Sequence, residues 1–355
     1  MLVAALCAGG VALYLHLRPG PAPLLVGVDD DTLKWSPAPL AVVRRQQRLG
    51  AQAVRVWVPW DGEARPHRVR RVELARAEVA ARRTRVVLAV FGSPSRSPRT
   101  PATRERFCGY ARAALALVPD ASAVVVWNEA NSSRYWRAGP FRYERLLAAC
   151  YDVLHRFRPD VTVLDSTSSA HAPARFLSAL GRAYRASGRQ QPLVDAFGHN
   201  PYPRTSGEEP WALHPPGFLG EGDYARLAST LDAAFTGTGQ HSLDVWYLED
   251  GYQTAPPARL AMGYSGRETS LTVSPQAQAQ RLRDAVLLAA CQPTVRAFFN
   301  FELVDEPSLA GWQSGLVWRG SVPKPAAAAF AAAARTVRAG AAGCGSFANA
   351  ALGHP

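Results

Sequence analysis

The sequence predicts a single-domain (β/α)8 barrel, and three observations lead to this prediction. Short apolar runs rich in valine, leucine and alanine recur along the chain, as is typical of strands buried on both faces of a parallel sheet. Segments with apolar residues at helical spacing separate these runs. The 355 residues contain no evident repeat or interdomain linker, and a chain of this length commonly forms one barrel domain.

Eight apolar runs are predicted as strands, and a helix is predicted after each of them. The strands are 24–28, 53–58, 86–90, 123–127, 161–164, 194–197, 245–248 and 295–301. The helices are 39–49, 69–83, 103–117, 141–157, 173–187, 223–236, 275–290 and 325–338. The fourth helix illustrates the spacing, since Leu147, Cys150 and Leu154 share one face. Eight strict alternations favour a closed barrel over an open sheet.

The two ends of the chain are predicted to lie outside the barrel domain, which is assigned to residues 21–343. Residues 1–20 contain an apolar segment shorter than the roughly 20 residues that span a bilayer, so a signal peptide is predicted, with a signal anchor as the alternative. Residues 344–355 are predicted to be a C-terminal tail. The protein is therefore expected to be secreted or anchored to a membrane by its N-terminal segment, outside the cytoplasm.

Four cysteines fall within the predicted barrel and the start of its tail, and an even number in an exported chain indicates disulfides. The order of elements places two of them on neighbouring outer helices and brings the third near the segment that carries the fourth. The predicted pairs are Cys108–Cys150 and Cys291–Cys344. Four free thiols are the alternative.

The net charge of +12 raises the question of a nucleic-acid partner. Only two of the 40 basic residues are lysines, and the arginines are scattered over many segments without a nucleic-acid-binding motif. No nucleic-acid partner is therefore predicted. The sequence also lacks a cluster with metal-ligand spacing, a glycine-rich phosphate loop and a Gly-x-Ser-x-Gly elbow, so neither a metal nor a cofactor is expected.

Two predicted strands end in a glutamate. Residues 124–131 read VVVWNEAN and deliver Glu129 to the end of strand four, and residues 244–251 read DVWYLEDG and deliver Glu249 to the end of strand seven. The carboxyl ends of barrel strands are where catalytic residues lie, and strands four and seven face each other across the barrel mouth. Paired carboxyl groups about 5–5.5 Å apart cleave glycosidic bonds with retention. Because strands four and seven face each other, Glu129 and Glu249 are predicted to converge on one glycosidic bond as such a pair.

The connections after strands six and seven, residues 201–222 and 251–274, are unusually long. Loops of more than about 15 residues are usually functional or disordered, and these two leave the catalytic end of the barrel. We expect both of them to wall the substrate cleft.

The two glutamate segments resemble motifs of the clan A glycoside hydrolases, a cellulase-like (β/α)8 superfamily, in the manner of families 5 and 39. Residues 127–131, WNEAN, are similar to the clan's Trp-Asn-Glu-Pro-Asn, and residues 246–254 are similar to its Trp-x-x-Glu-x-Gly-x-x-Thr. The resemblance implies retaining hydrolysis of a β-linked oligo- or polysaccharide by double displacement. It assigns Glu129 as the acid/base and Glu249 as the nucleophile.

The resemblance also implies a set of substrate-binding residues. Arg55 resembles the strand-two arginine beside the nucleophile, His199 and Tyr202 resemble the strand-six residues that line the site, and Asn128 is expected to bond the sugar 2-hydroxyl. With the tryptophans expected to contact sugar rings, the predicted set is Asn128, Arg55, His199, Tyr202, Trp57, Trp60 and Trp312.

Strand eight departs from the clan pattern, because Asn300 and Phe301 stand where a tryptophan platform is common. Trp312 or Trp318 is expected to supply this platform. The departure also keeps open a barrel that binds glycan without cleaving it. A transglycosylase, in which an acceptor sugar replaces water, is the other alternative.

Overall fold

A computed structural model of the protein describes residues 23–166, 168–240 and 242–347. Within these residues the chain forms the predicted barrel, a closed sheet of parallel strands in the order β5-β4-β3-β2-β1-β8-β7-β6, closed by pairing of Leu164 with Ala196. The strands are β1 Leu25–Asp29, β2 Ala53–Trp60, β3 Arg85–Gly92, β4 Ala123–Val126, β5 Thr162–Asp165, β6 Ala196–Asn200, β7 Asp244–Asp250 and β8 Val295–Phe301. A two-residue strand, Ser168–Ser169, pairs with the end of β6.

The outer layer consists of the predicted helices. They are α1 Pro39–Arg48, α2 Arg68–Ala81, α3 Pro101–Leu117, α4 Pro140–Phe157, α5 Pro173–Ser187, α6 Tyr224–Phe235, α7 Pro275–Cys291 and α8 Pro325–Arg338. A four-residue helix, Thr32–Trp35, follows β1, and short 3-10 helices cover Pro94–Arg96, Glu221–Asp223, Ala258–Gly263 and Cys344–Phe347. Six of the outer helices begin with proline, whose fixed φ suits the first helical position and which has no N–H to leave unbonded there.

The barrel has two apolar layers. The interior is filled mostly by small side chains, with a few large ones such as Phe299, and the larger layer lies between the sheet and the helices. Gly27 makes room for Phe299, because a Cβ at position 27 would lie 2.6 Å from its ring. The interior is therefore a packed core, and the functional space lies at the carboxyl ends of the strands.

The two glutamate-bearing strands end in irregular backbone. β4 ends at Val126, one residue earlier than predicted, because Trp127 has a φ of 73° and leaves the strand conformation. In β7, Tyr247 pairs with Phe298 and Asp250 pairs with Asn300, so β7 carries one extra residue at this point. Such a bulge changes the direction in which the following side chains point. Since Leu248 faces the barrel interior, strict alternation would have turned Glu249 towards the helices.

Both predicted disulfides are confirmed. Cys108–Cys150 joins α3 to α4, and Cys291–Cys344 joins the end of α7 to the 3-10 helix after α8. Cys108 and Cys150 are fully buried between the two helices, whereas Cys344 is exposed.

Removal of the buried disulfide is expected to destabilise the barrel strongly. Cys108 and Cys150 lie 42 residues apart, and the chain-entropy cost of closing such a loop is roughly 4 kcal/mol. We expect the double variant Cys108→Ala/Cys150→Ala to lose a free energy of unfolding of about this size in urea titrations. The matched variant Cys291→Ala/Cys344→Ala should lose less, because the segment that it releases can detach while the barrel stays folded. Equal losses in the two variants would contradict this expectation.

The predicted terminal segments lie mostly outside the described residues. This applies to residues 1–20 and to residues 348–355, while residues 344–347 of the predicted tail form the 3-10 helix held by its disulfide. No helix in the described part of the chain is long and apolar enough to cross a membrane.

Candidate active site

A cleft of about 1040 Å³ opens at the carboxyl ends of the strands. The loops after β4, β5, β6, β7 and β8 line it, including both of the long loops expected to do so. Glu129 and Glu249 both reach this cleft. The two predicted carboxylates therefore share one solvent-accessible space.

Glu249 is held by two donors. Arg55 on β2 donates from Nη1 to Oε1 at 2.7 Å, and the Tyr202 hydroxyl donates to Oε2 at 3.3 Å. Burial, followed by the negative charge of Glu249, raises the pKa of Tyr202 well above its ordinary value, so the hydroxyl keeps the proton that it donates. Both oxygens of Glu249 thus face donors, and one of these donors is a cation.

Arg55 organises the floor of the site. It is fully buried and contacts three side chains, since it also donates to the Asp29 carboxyl and, from Nη2, to Oδ1 of Asn128 at 3.1 Å. Trp57 Nε1 donates to the same Asp29 carboxyl at 3.1 Å. Burial raises the pKa of Asp29 to about 8 in spite of the opposing charge of Arg55. Asp29 and Glu249 thus share the guanidinium of Arg55.

Glu129 lies in a different environment. It has a φ of 39°, in the left-handed region, and its N–H donates to the Ser166 hydroxyl at 3.3 Å. Asn200, at the end of β6, donates from Nδ2 to Oε1 of Glu129 at 3.0 Å. Burial and then the negative charge of Glu249 raise the pKa of Glu129 to about 7. One glutamate is therefore biased towards its protonated form, while the other faces a cation.

An aromatic cluster forms one side of the cleft beside Glu249. The rings of Tyr202 and Trp312 are tilted by 30° to each other with centroids 4.8 Å apart, and Phe301 and Trp312 make an edge contact at 5.5 Å. Trp57 stacks on Phe301 with ring centroids 6.1 Å apart. Trp312, rather than the buried Trp318, lines the cleft where the strand-eight tryptophan is missing.

Four of the predicted substrate-binding residues do not line the cleft surface, namely Arg55, Asn128, Trp60 and His199. Arg55 and Asn128 are buried, and Arg55 joins them to Glu249 by hydrogen bonds. Trp60 is 4% exposed, packs against Phe107 and Trp127, and donates its indole N–H to the carbonyl of Glu63. Its prediction as a sugar-contacting residue is wrong, because it points into the layer between β2 and α3. His199 is fully buried, and its Nε2 lies 2.9 Å from the carbonyl of Leu219.

Several residues of the site were not assigned a role from the sequence. Asn200 bonds the acid/base candidate, Ser166 supports its backbone, and Asp29 shares Arg55 with Glu249. Each of them lies at or just past the carboxyl end of a predicted strand, which is the one signal that could have selected them.

A buried carboxyl group follows Glu249 directly in the chain. Asp250 is fully buried and its Oδ1 accepts from the N–H of Gly251 at 2.8 Å. Burial raises the pKa of Asp250 to about 8. The folded protein therefore holds a proton on Asp250 across a pH range in which the unfolded chain has released it.

This proton is expected to make stability fall as pH rises. When the pKa of a carboxyl group is higher in the folded state than in the unfolded chain, the free energy of unfolding of the protein falls as pH rises. The fall runs from about pH 4 up to the folded-state pKa and is at most about 1.4 kcal/mol per pH unit. Asp250→Asn keeps the shape of the side chain but does not titrate. Between pH 5 and pH 8 we therefore expect the free energy of unfolding of this variant to fall less than that of the wild type. Asp160→Asn, at a side chain 86% exposed, is the control and should match the wild type. Parallel curves for Asp250→Asn and the wild type would contradict the expectation.

A metal centre is not evident in the parts of the chain that the structure describes. Among these residues, no three or more histidine, cysteine, aspartate or glutamate side chains are grouped so as to hold an ion.

Comparison with known proteins reveals likeness at the level of structure. No family model matches the sequence. No curated protein matches it either. A family 39 glycoside hydrolase from the gut symbiont Bacteroides cellulosilyticus WH2 superposes with a TM-score of 0.64 at 18% identity, over 89% of this chain and 64% of that one. The chain thus spans slightly less than two thirds of that protein's length.

Two further solved structures have the same architecture. GH5_18 from Streptomyces cattleya, solved in complex with GlcNAc, gives a TM-score of 0.62 at 17% identity, over 89% of this chain and 81% of that one. An exo-β-1,4-mannosidase from Opitutaceae bacterium strain TAV5 gives a TM-score of 0.60 at 16% identity, over 90% of this chain and 60% of that one. The fold of this chain is therefore the (β/α)8 fold of these glycoside hydrolases, as the resemblance of its motifs predicted.

Proposed function

We propose that the protein is a retaining glycoside hydrolase that cleaves a β-linked saccharide, with Glu129 as acid/base and Glu249 as nucleophile. The observation that carries the proposal is the asymmetry between two glutamates in one cleft. Glu249 is bonded by a buried arginine, while burial and a neighbouring negative charge raise the pKa of Glu129 to about 7. A carboxyl group biased towards its protonated form, beside another that faces a cation, can serve as the acid and the nucleophile of a double displacement.

In the first step, an oxygen of Glu249 attacks the anomeric carbon as the bond to the leaving oxygen breaks. Glu129 transfers its proton to that oxygen; with Asn200 bonded to Oε1, Oε2 carries the proton. In the second step, a water attacks the anomeric carbon from the face that the leaving group vacated. Glu129, now ionised, takes the proton of that water, and the bond to Glu249 breaks. Two inversions give net retention.

The surrounding residues position the sugar. Arg55 and Tyr202 fix the orientation of the nucleophile, and Arg55 also fixes Asn128 through its Oδ1. Asn128 is assigned to the sugar 2-hydroxyl, where a hydrogen bond strengthens in the transition state. Trp57 and Trp312, both on the cleft surface, are assigned to stacking on sugar rings.

The proposal includes an extracytoplasmic location and a saccharide substrate. Two disulfides are typical of proteins that fold in an oxidising compartment, which supports export across the membrane. The long open cleft and its aromatic surface suit an oligo- or polysaccharide chain.

The stereochemistry of the first product tests the mechanism. A panel of aryl β-glycosides identifies an accepted sugar, and proton NMR then follows the anomer released during the first turnovers, before mutarotation. We expect the β-anomer to appear first. An initial α-anomer would establish inversion and remove Glu249 from the role of nucleophile, and saccharide binding without turnover of any substrate would favour the glycan-binding barrel.

A further inference from the structure

One wall of the cleft carries unpaired positive charge. It is formed by the loops after β4 and β6, which place Arg134 and Arg204 on the cleft surface. Both are exposed, and no described carboxylate lies within ion-pair distance of either arginine. The guanidinium of Arg134 lies over the ring of Tyr135, with its carbon 5.8 Å from the ring centroid.

The carboxylates near the cleft either make hydrogen bonds of their own or belong to the catalytic pair. Glu306 lies with the loop after β8 and accepts from the N–H of Trp312 at 3.0 Å. Glu208 accepts from the backbone N–H of Arg204 and contacts the ring of His214. The remaining carboxylates of the cleft surface are the catalytic pair. The two guanidinium groups therefore face solvent in the cleft.

The basic wall begins beside the acid/base candidate at Arg134 and extends to Arg204, which follows Tyr202 in the loop after β6. Arg134 follows Glu129 in the same loop, and its charge is among those that oppose the rise of the pKa of Glu129, of which burial is the main cause. An acid/base contacts the oxygen of the leaving group, so the leaving-group saccharide lies along this wall. The nucleophile side is instead lined by the uncharged rings of Tyr202, Phe301 and Trp312.

We infer that the leaving-group half of the substrate is an anionic saccharide, bound through a carboxylate or sulfate group by Arg134 and Arg204. The planar guanidinium matches both groups with two parallel hydrogen bonds. The inference rests on the proposed function, because the proposed role of Glu129 decides which half of the substrate meets the wall.

Binding of matched charged and neutral probes tests the inference. The probes are hyaluronan hexasaccharide with its carboxyl-reduced form, and sulfated cellohexaose with unsulfated cellohexaose. Calorimetric titration into full-length Glu129→Gln, which removes the acid that begins turnover, is carried out at about 20 mM and about 500 mM salt. We expect at least one charged probe to bind about tenfold more tightly than its neutral partner at low salt, and this preference should shrink at high salt.

Substitution of the two arginines locates the effect. Arg134→Gln and Arg204→Gln, each added to Glu129→Gln, should each reduce the preference for the charged probe about fivefold, the value of an exposed charge-assisted contact. Arg106→Gln is the matched control, because Arg106 is exposed on the outer helix α3, away from the cleft. The pair that shows the preference distinguishes a carboxylate from a sulfate.

Three outcomes would overturn the inference. They are equal binding of charged and neutral probes, a preference that salt does not weaken, and a loss in Arg106→Gln as large as in the cleft variants. Turnover of neutral aryl β-glycosides by the wild type separates this failure from that of the proposed function. A glycosidase without the charge preference would keep its mechanism and lose only the anionic substrate.

Discussion

Glu249→Ala is expected to lower kcat on an accepted aryl β-glycoside by on the order of 10⁵-fold, because it removes the atom that forms the covalent bond to the sugar. Arg55 would then face an empty space, and a small anion can bind where the carboxylate was. We expect added azide to restore turnover and to attack the anomeric carbon from the nucleophile side. The product should therefore be the α-glycosyl azide, formed with a single inversion.

Two comparisons make this result specific. Glu105→Ala removes a carboxylate from the exposed face of α3 and should leave kcat unchanged. Far-UV circular dichroism of Glu249→Ala should match the wild type, which separates lost chemistry from lost folding. A Glu249→Ala variant with more than about a tenth of wild-type kcat would exclude this residue as the nucleophile.

Glu129→Ala is expected to produce a loss that depends on the leaving group. Loss of a general acid lowers kcat/KM, which reports the first step, about 10²–10⁴-fold for a sugar leaving group, and much less for a dinitrophenolate that departs without protonation. The wild type should lose activity as pH rises through about 7, because deprotonation of Glu129 removes the acid. The variant should lose this alkaline limb when assayed with the dinitrophenyl substrate. Added azide should give the β-glycosyl azide, because azide replaces the second-step water.

The same substrates also provide the contradicting result. If Glu129→Ala lowered kcat/KM for the dinitrophenyl glycoside and for a disaccharide by the same factor, Glu129 would act in binding or folding rather than in proton transfer to the leaving group. An alkaline limb that persisted in the variant would assign that titration to another group.

Much of the fold could be predicted because its signals are local. Apolar runs identify strands buried on both faces, and proline at the first helical position marks where helices begin; α5 and α8 start and end at the predicted residues. The disulfide pairing followed from the order of elements, since neighbouring helices in the chain are neighbours in a barrel. The positions of Glu129 and Glu249 at the cleft followed from strand ends in the same way.

The rest depends on details that strand patterns do not carry. The extra residue in β7 turns Glu249 into the cleft, and no feature of residues 245–250 distinguishes this bulge from regular alternation. Trp60 is an exception, because it shares the helix-facing side of β2 with Val54, Val56 and Val58, and regular alternation could have predicted its orientation. Asn200 is an amide at a strand end like many others, and only the closure of the barrel, which places β4 and β6 on either side of β5, brings it to Glu129.

Covalent trapping identifies the residue that forms the bond to the sugar and so tests the double displacement through Glu249. The probe is a 2-deoxy-2-fluoro-β-glycoside of the accepted sugar with a dinitrophenolate leaving group. The fluorine slows both steps, but the good leaving group still allows the first, so the covalent intermediate accumulates. Digestion and tandem mass spectrometry then locate the attached sugar. We expect one sugar per chain, on Glu249. A label on Asp29 or Asp250, or an active enzyme that accumulates no label, would contradict the double displacement through Glu249.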